Sequence, residues 1–406
     1  MLRVRVPSLS PLFYEGIRKN LVPFVLSAPL PGQSSKKEDN IMQKCELDTP
    51  ALFLDLEIFE RNLILMRDTA KAAGKKLRPH AKTHKCPEIA KRQLECGNCT
   101  GICAAKLSEA EKLSEAGIQN ILITSPISAP WKIARTGKLN REISGLQLTV
   151  DTPEQIRLLA AQASCEHPLH LLIDVDPEMG RTGVNSNEAL ELAKFIQKFP
   201  NLIIDGVQCY AGHLQHIRDF NERITESTRL MKLGAASFNE IKKIAPQCHI
   251  FTGTGTGTMQ ADIKIPEVTD IQVGSYCMMD AEYLAVDHGK INFSPALRIL
   301  ASVINCRIPG QATIDAGTKA IYVTPGAPPR VMKNGAVDPD FTYDWSFGDE
   351  HGRLTFPENI TLFPAQRLEL IVSHCDPTVN LFDELWIVKG DEVIDRWEIS
   401  LRGCCR

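Results

Sequence analysis

Arg78-Pro79-His80-Ala81-Lys82-Thr83-His84-Lys85 gathers two lysines, an arginine and two imidazoles into eight residues beside a short apolar lead-in. A lysine held among other cations loses proton affinity, and burial pushes the same way. Such an amine is a nucleophile that forms an imine with an aldehyde. On chemistry alone Lys82 and Lys85 are both open for that role, and solvated surface charge is the plainer alternative.

Five further stretches have residue types that could share a site with such a lysine. Thr252-Gly253-Thr254-Gly255-Thr256-Gly257-Thr258 alternates glycine and threonine, so backbone N–H groups and hydroxyls can surround a phosphate. It lacks the ending of a nucleotide P-loop. Gly274-Ser275-Tyr276 could complete the cup, and a flexible glycine loop or a closing turn is the bland reading. Gly180-Arg181-Thr182-Gly183-Val184 sets an arginine between glycines. Cys209-Tyr210-Ala211-Gly212-His213-Leu214-Gln215-His216 packs a phenol and two imidazoles into one loop, with His216 a candidate general base. His374-Cys375-Asp376-Pro377-Thr378-Val379-Asn380 closes a large apolar run. Read as extended chain, it turns His374 and Asp376 to one side, where they could share a hard divalent cation. An Asx turn before Pro377 is the alternative.

These stretches need a scaffold, and the sequence supplies a regular one. Apolar runs at Lys76–Lys82, Gly101–Ala105, Ile121–Thr124, Leu146–Asp151, Leu169–Asp176, Gly206–Tyr210, His249–Thr254 and Thr269–Gly274 read as strands. Helical periodicity fills most gaps, as in 57–73, 108–116, 153–162, 187–198 and 219–244. Eight such units predict a parallel (β/α)₈ TIM barrel over residues 45–285. Lys82, Arg181, Tyr210 and the glycine run then fall at strand C-termini, where barrel chemistry sits. Residues 286–406 change texture and predict an all-β domain, with strands at 297–306, 311–316, 319–323, 362–372, 384–389 and 392–399. The 325–360 region reads as loop-rich, and Asp315–Lys319 as a tight turn.

Composition narrows the class. With 406 residues, 43% apolar, 23% charged and a net charge of -3, the chain is an ordinary globular protein with no electrostatic case for nucleic acid or anionic membranes. No apolar run approaches the roughly 20 residues of a spanning helix. Thirteen scattered cysteines read as reduced thiols, which favours the cytoplasm, and Cys96-x-x-Cys99 as an inert pair rather than a zinc or redox site. Residues 1–44 are basic and serine-rich and are read as a disordered extension or an organelle-targeting segment.

The lysine stretch, Asp48–Leu52, Gly101–Lys106, Gly180–Val184, the Tyr210–His216 loop, Thr252–Thr258, Gly274–Tyr276 and His374–Asn380 occur together and in order. Their pattern resembles the D-threonine aldolase and D-serine dehydratase family of alanine racemase-like enzymes that use pyridoxal 5′-phosphate. The resemblance implies that the cofactor is carried on Lys82, with Arg181 beside its phenolic oxygen and Tyr210 beside its ring. It places Thr254, Gly255, Thr256, Gly257, Gly274, Ser275 and Tyr276 around the phosphate. It makes His374 and Asp376 ligands of a divalent metal (Mn²⁺, with Zn²⁺, Mg²⁺ or Co²⁺ as alternatives) and His216 the base. The expected activity is cleavage of D-threonine or a related D-3-hydroxy amino acid to glycine and an aldehyde, by a homodimer. Aspartate at 376, where dehydratases of the family resemble His-x-Cys, favours the aldolase over a dehydratase that gives a keto acid and ammonia. A non-catalytic cofactor-binding protein is the reading from another class.

Overall fold

The computed structural model describes residues 42–406, so the basic N-terminal stretch lies outside the described residues except for its last three positions. The chain enters through β1 (Ala51–Asp55) and α1 (Leu56–Ala72), where the Asp55 carboxylate accepts from Ile58 N and caps the helix. Phe59, Leu63, Met66 and Ala70 recur at helical spacing on the buried face of α1.

Eight strands alternating with seven helices follow. They begin with β2 (Lys76–Leu77), α2 (Pro87–Cys96), β3 (Ile102–Ala104), α3 (Leu107–Glu115), β4 (Ile121–Ile123) and α4 (Pro130–Glu142). Next come β5 (Gln147–Val150), α5 (Pro153–Ala160), β6 (Leu169–Asp174), α6 (Ser186–Ile196) and β7 (Leu202–Cys209). The series ends with α7 (Phe220–Ile244), β8 (Ile250–Gly253), α8 (Met259–Asp262) and β9 (Asp270–Ile271). Strands β2 to β9 form one parallel sheet in the order β2-β9-β8-β7-β6-β5-β4-β3. Parallel bridges from Leu77 to Cys99 and from His80 to Cys103 join its two ends. All eight expected strands are present. The first is shorter than Lys76–Lys82 because Pro79 has no N–H to give the ladder. Apolar runs such as Ile121-Leu122-Ile123 are buried throughout, as strands covered on both faces require.

The second layer system starts after α9 (Ala281–Leu284). Its elements are β10 (Leu297–Asn305), β11 (Gln311–Ile314), β12 (Arg330–Lys333), β13 (Ala336–Val337), β14 (Thr342–Asp344) and β15 (Gly352–Thr355). They continue with β16 (Arg367–Ile371), α10 (Cys375–Val379), β17 (Glu384–Lys389) and β18 (Glu392–Glu398). Two expectations need correction. Residues 319–323 form turn and coil, and 325–360 carries four short strands instead of being mostly loop. β1 also pairs antiparallel with β10 and parallel with β17, so Ala51–Asp55 belongs to this sheet and the barrel begins after it. Among the described residues no helix is long and apolar enough to cross a membrane.

Candidate active site

A cavity of about 510 Å³ opens at the C-terminal mouth of the barrel. Its wall takes His80, Lys82 and Thr83 from the loop after β2, Thr124 and Ser125 after β4, and Arg181 after β6. Tyr210 comes from the end of β7, Gly255 and Thr256 from the loop after β8, and Gly274 and Ser275 from the loop after β9. Motifs separated by nearly 200 residues thus share one wall.

The cation-rich stretch resolves into separate pairs. Arg78 meets Asp270 at 3.4 Å, Lys82 meets Asp376 at 3.0 Å, and Lys85 meets Glu109 at 2.6 Å. The expected depression of the lysine pKa therefore does not occur at Lys82. Asp376 raises it well above its ordinary value, outweighing burial and the Arg181 charge. The imidazoles go the other way. Burial holds His80 well below its usual value and brings His84 down to about 4, so both are neutral near pH 7. Lys82 Nζ lines the cavity with its side chain 40% exposed, whereas Lys85 is shut in with Glu109.

His374 and Asp376 are not on an extended strand. His374 is the N-cap of α10 and Asp376 lies in its first turn, because the chain leaves β16 and Pro377 suits a helix start. They remain electrostatic neighbours. Burial works against the Asp376 carboxylate, but Lys82 and His374 outweigh it and hold its pKa well below the usual range. Asp376 Oδ2 is buried with no hydrogen bond of ordinary geometry, and neighbouring Thr83 Oγ1 is in the same condition. His374 Nδ1 faces Asp280 at 3.0 Å and Glu282 at 3.1 Å. Burial lowers its pKa, but these carboxylates and Asp376 carry it up to about 9.

His216 reaches the same place from the loop after β7. Its Nε2 lies 3.7 Å from Glu282, and its ring centroid lies 4.7 Å from Tyr283 and 6.1 Å from His374. Burial lowers its pKa, with Glu282 pulling back. Sequence reasoning missed Asp280, Glu282 and Tyr283. Their signal was available, since Asp280-Ala281-Glu282 repeats the spacing of His374 and Asp376 just past Gly274-Ser275-Tyr276.

The glycine-rich segments divide. Gly255, Thr256, Gly274 and Ser275 line the cavity, while Thr254 and Gly257 are buried behind it. A Cβ on Gly274 would collide with Thr83 Oγ1, and one on Gly255 with the Gln215 amide, so both positions need the missing side chain. The Tyr276 hydroxyl does not reach the cup. Its ring packs edge-on against Phe293, and Gln93 Nε2 donates to its oxygen at 3.4 Å. Only its backbone N–H touches the loop, donating to Thr256 Oγ1 at 3.1 Å. The Arg181 guanidinium lies 5.5 Å from the Tyr210 ring centroid, so these two residues form one side of the mouth.

The residues fit an aldehyde cofactor with a phosphate arm: an amine at one end and N–H and hydroxyl donors at the other. They also fit a divalent cation, because an orphaned, buried carboxylate oxygen beside an imidazole has capacity for one. Among the described residues no three His, Cys, Asp or Glu side chains converge on one metal position, so water or substrate oxygens would complete the shell.

Comparison with known proteins follows the same outline. The alanine racemase N-terminal domain matches residues 54–281, and the putative serine dehydratase domain matches 296–388. The chain is 36% identical over 364 residues to a D-threonine aldolase from Arthrobacter sp, covering 89% of this chain and 94% of that protein. It is 34% identical over 375 residues to a 3-hydroxy-D-aspartate aldolase from Paracoccus denitrificans (strain Pd 1222), with the same two coverages. The crystal structure of D-threonine aldolase from Filomicrobium marinum superposes with a TM-score of 0.83 at 33% identity, covering 89% of this chain and 98% of that one.

Proposed function

This chain belongs to the D-threonine aldolase and D-serine dehydratase family of alanine racemase-like proteins, and from that premise we propose that it is a carbon–carbon lyase. The reaction is cleavage of a D-3-hydroxy amino acid to glycine and an aldehyde, dependent on pyridoxal 5′-phosphate and a divalent cation, Mn²⁺ in our reading. The observation that carries it is Asp376, which holds Lys82 with one oxygen and has a second buried oxygen that makes no hydrogen bond of ordinary geometry, with Thr83 beside it. A bare structural ion pair would leave no such capacity.

Lys82 would hold the cofactor covalently, with Gly255, Thr256, Gly274 and Ser275 around its phosphate and Arg181 and Tyr210 at its ring. His374 and Asp376 would hold the cation. When bound, the cofactor supplies a sink for the electrons of the breaking bond, and the cation supplies Lewis acidity at the substrate hydroxyl. His216 then takes the hydroxyl proton at Nε2. Glu282 and Tyr283 fix the imidazole plane, and Glu282 stabilises the imidazolium that forms. Cys375 is turned aside, its thiol donating to Met279 O at 3.2 Å, so the ligand oxygen comes from Asp376. The names of the similar aldolases support this choice. A homodimer belongs to the reading, supported by exposed Tyr322, Trp345 and Phe347 on the β-rich part. A cytoplasmic site is supported by thirteen free thiols.

The test is product analysis. Chelated, cofactor-loaded protein is incubated with D-threonine and with 3-hydroxy-D-aspartate, with and without added Mn²⁺. Metal-dependent glycine and aldehyde are expected. A keto acid with ammonia would make the protein a dehydratase, and cofactor retention without turnover would leave a binding protein.

A further inference from the structure

Arg223 is wholly buried in the first turns of α7, and among the described residues it has no carboxylate in an ion pair. All its donors go to backbone carbonyls. Nε donates to Gly257 O at 2.7 Å, Nη1 to Ile217 O and at 3.4 Å to Arg218 O and Asp219 O, and Nη2 to Asp287 O. Those carbonyls belong to three segments: the glycine–threonine loop, the turn directly after His216, and the chain just past Glu282 and Tyr283. Burying a guanidinium whose hydrogen bonds all go to backbone carbonyls is costly, and burial lowers its pKa, with the Asp287 and Asp219 charges pulling only partly back. An apolar side chain would fill the space at less cost but could join nothing.

Gln215 ties two of the same segments. It is buried, its Oε1 accepts from Gly257 N at 2.9 Å, and its Nε2 donates to Ala211 O and to Thr258 Oγ1, both at 3.2 Å. His216 is its chain neighbour. The phosphate end and the base end of the cavity are therefore anchored to one another from behind, with the planar guanidinium as the common plate.

We propose that Arg223 is a positioning residue that fixes the separation and tilt of the anion-binding loop and the His216 loop without touching cofactor or substrate. This rests on the aldolase reading for the roles of those two loops. A displacement of about 1 Å at reacting groups costs up to about 100-fold in rate, so the plate need not contact the chemistry to govern it.

The experiment uses full-length protein with Arg223→Lys and Arg223→Ala. Apparent affinity for pyridoxal 5′-phosphate is read from imine absorbance, alongside kcat and KM for the D-3-hydroxy amino acid. A lysine amine is a point donor that cannot span three segments. Arg223→Lys should weaken cofactor affinity by about tenfold and lower kcat by about tenfold, with KM changed by less than about threefold. In Arg223→Ala, added guanidinium at a non-denaturing concentration should restore cofactor affinity, and methylammonium should not. Wild-type affinity and kcat in Arg223→Lys would overturn the proposal, as would losses in Arg223→Ala that guanidinium does not recover. The cofactor arm does not need turnover, so failure of the aldolase reading in the wild type is distinguishable from failure of this one.

Discussion

Lys82 and Lys85 stand three residues apart on one turn, and each faces a buried carboxylate, but the two regions differ in what is left over. At the Lys85 pair the carboxylate is saturated. Glu109 Oε1 takes the lysine at 2.6 Å, and Oε2 accepts from Ala105 N at 2.7 Å and Lys106 N at 3.1 Å. Around Lys82, Asp376 Oδ1 takes the lysine at 3.0 Å, and Oδ2 has no hydrogen bond of ordinary geometry, only the neighbouring Thr83 hydroxyl as a weak donor. Charge pairing alone therefore does not separate a structural lysine from a chemical one. Spare hydrogen-bonding capacity beside an open cavity does.

The largest effect is expected at Lys82. Lys82→Ala should abolish the imine absorbance and lower lyase activity by more than about 100-fold, with the fold retained by circular dichroism. Lys85→Met should leave the absorbance in place. The reverse pattern would invert the comparison. Next in size is the orphaned carboxylate. Asp376→Asn keeps the volume and removes the charge, so the Mn²⁺ concentration for half-maximal activity should rise by about 10- to 100-fold. An unchanged metal requirement would show that the spare oxygen serves something else.

At Lys85 the expected effect is on stability. Removing one partner of a buried pair costs about 3 kcal/mol, and Glu109 would keep its two backbone donors, so Lys85→Met should fall at or below that figure in urea unfolding. Lys82→Ala should cost less, because His374 stays beside the Asp376 carboxylate and still compensates part of its charge. Equal losses would mean that the two pairs are structurally alike and that the distinction lies elsewhere.

The barrel was legible because most of its strands lie in short apolar runs that alternate with stretches of helical periodicity, and the alternation reports the architecture. The site motifs were legible as types: Lys82, Arg181, Tyr210, Gly255, Thr256, Gly274 and Ser275 do meet at one cavity. Three features were hidden for different reasons. The raised pKa of Lys82 depends on Asp376, 294 residues away, so counting local cations gave the wrong sign. Tyr276 was placed at the cup as part of Gly274-Ser275-Tyr276, but core packing against Phe293 takes its ring away and leaves only the backbone N–H on the loop. The joint direction of His374 and Asp376 was inferred from strand alternation, whereas α10 begins there and its cap geometry decides it.

Asp174 gives the smallest test and extends the comparison to a second carboxylate at the same mouth. Thr182 Oγ1 donates to it at 2.8 Å and Gln208 Nε2 at 2.9 Å, both neutral donors. Burial pushes its pKa up to about 6, and those hydrogen bonds only partly offset this. The unfolded chain ionises near 3.9, so the folded state binds the proton more tightly. The associated stability is present in full below about pH 4 and lost as pH rises through about 6, amounting to about 3 kcal/mol at most. Asp174→Asn removes the titration while an amide oxygen still accepts from Gln208. The variant should therefore outlast wild type in urea at pH 8, by about 1 kcal/mol once a weaker contact to Thr182 is allowed for, and lose that advantage at pH 4. Asp376, held well below the usual range by Lys82, predicts no such gain when neutralised. If Asp174→Asn tracks wild type at both pH values, the Arg181 charge must offset the burial of Asp174 in full, and the two carboxylates would be alike.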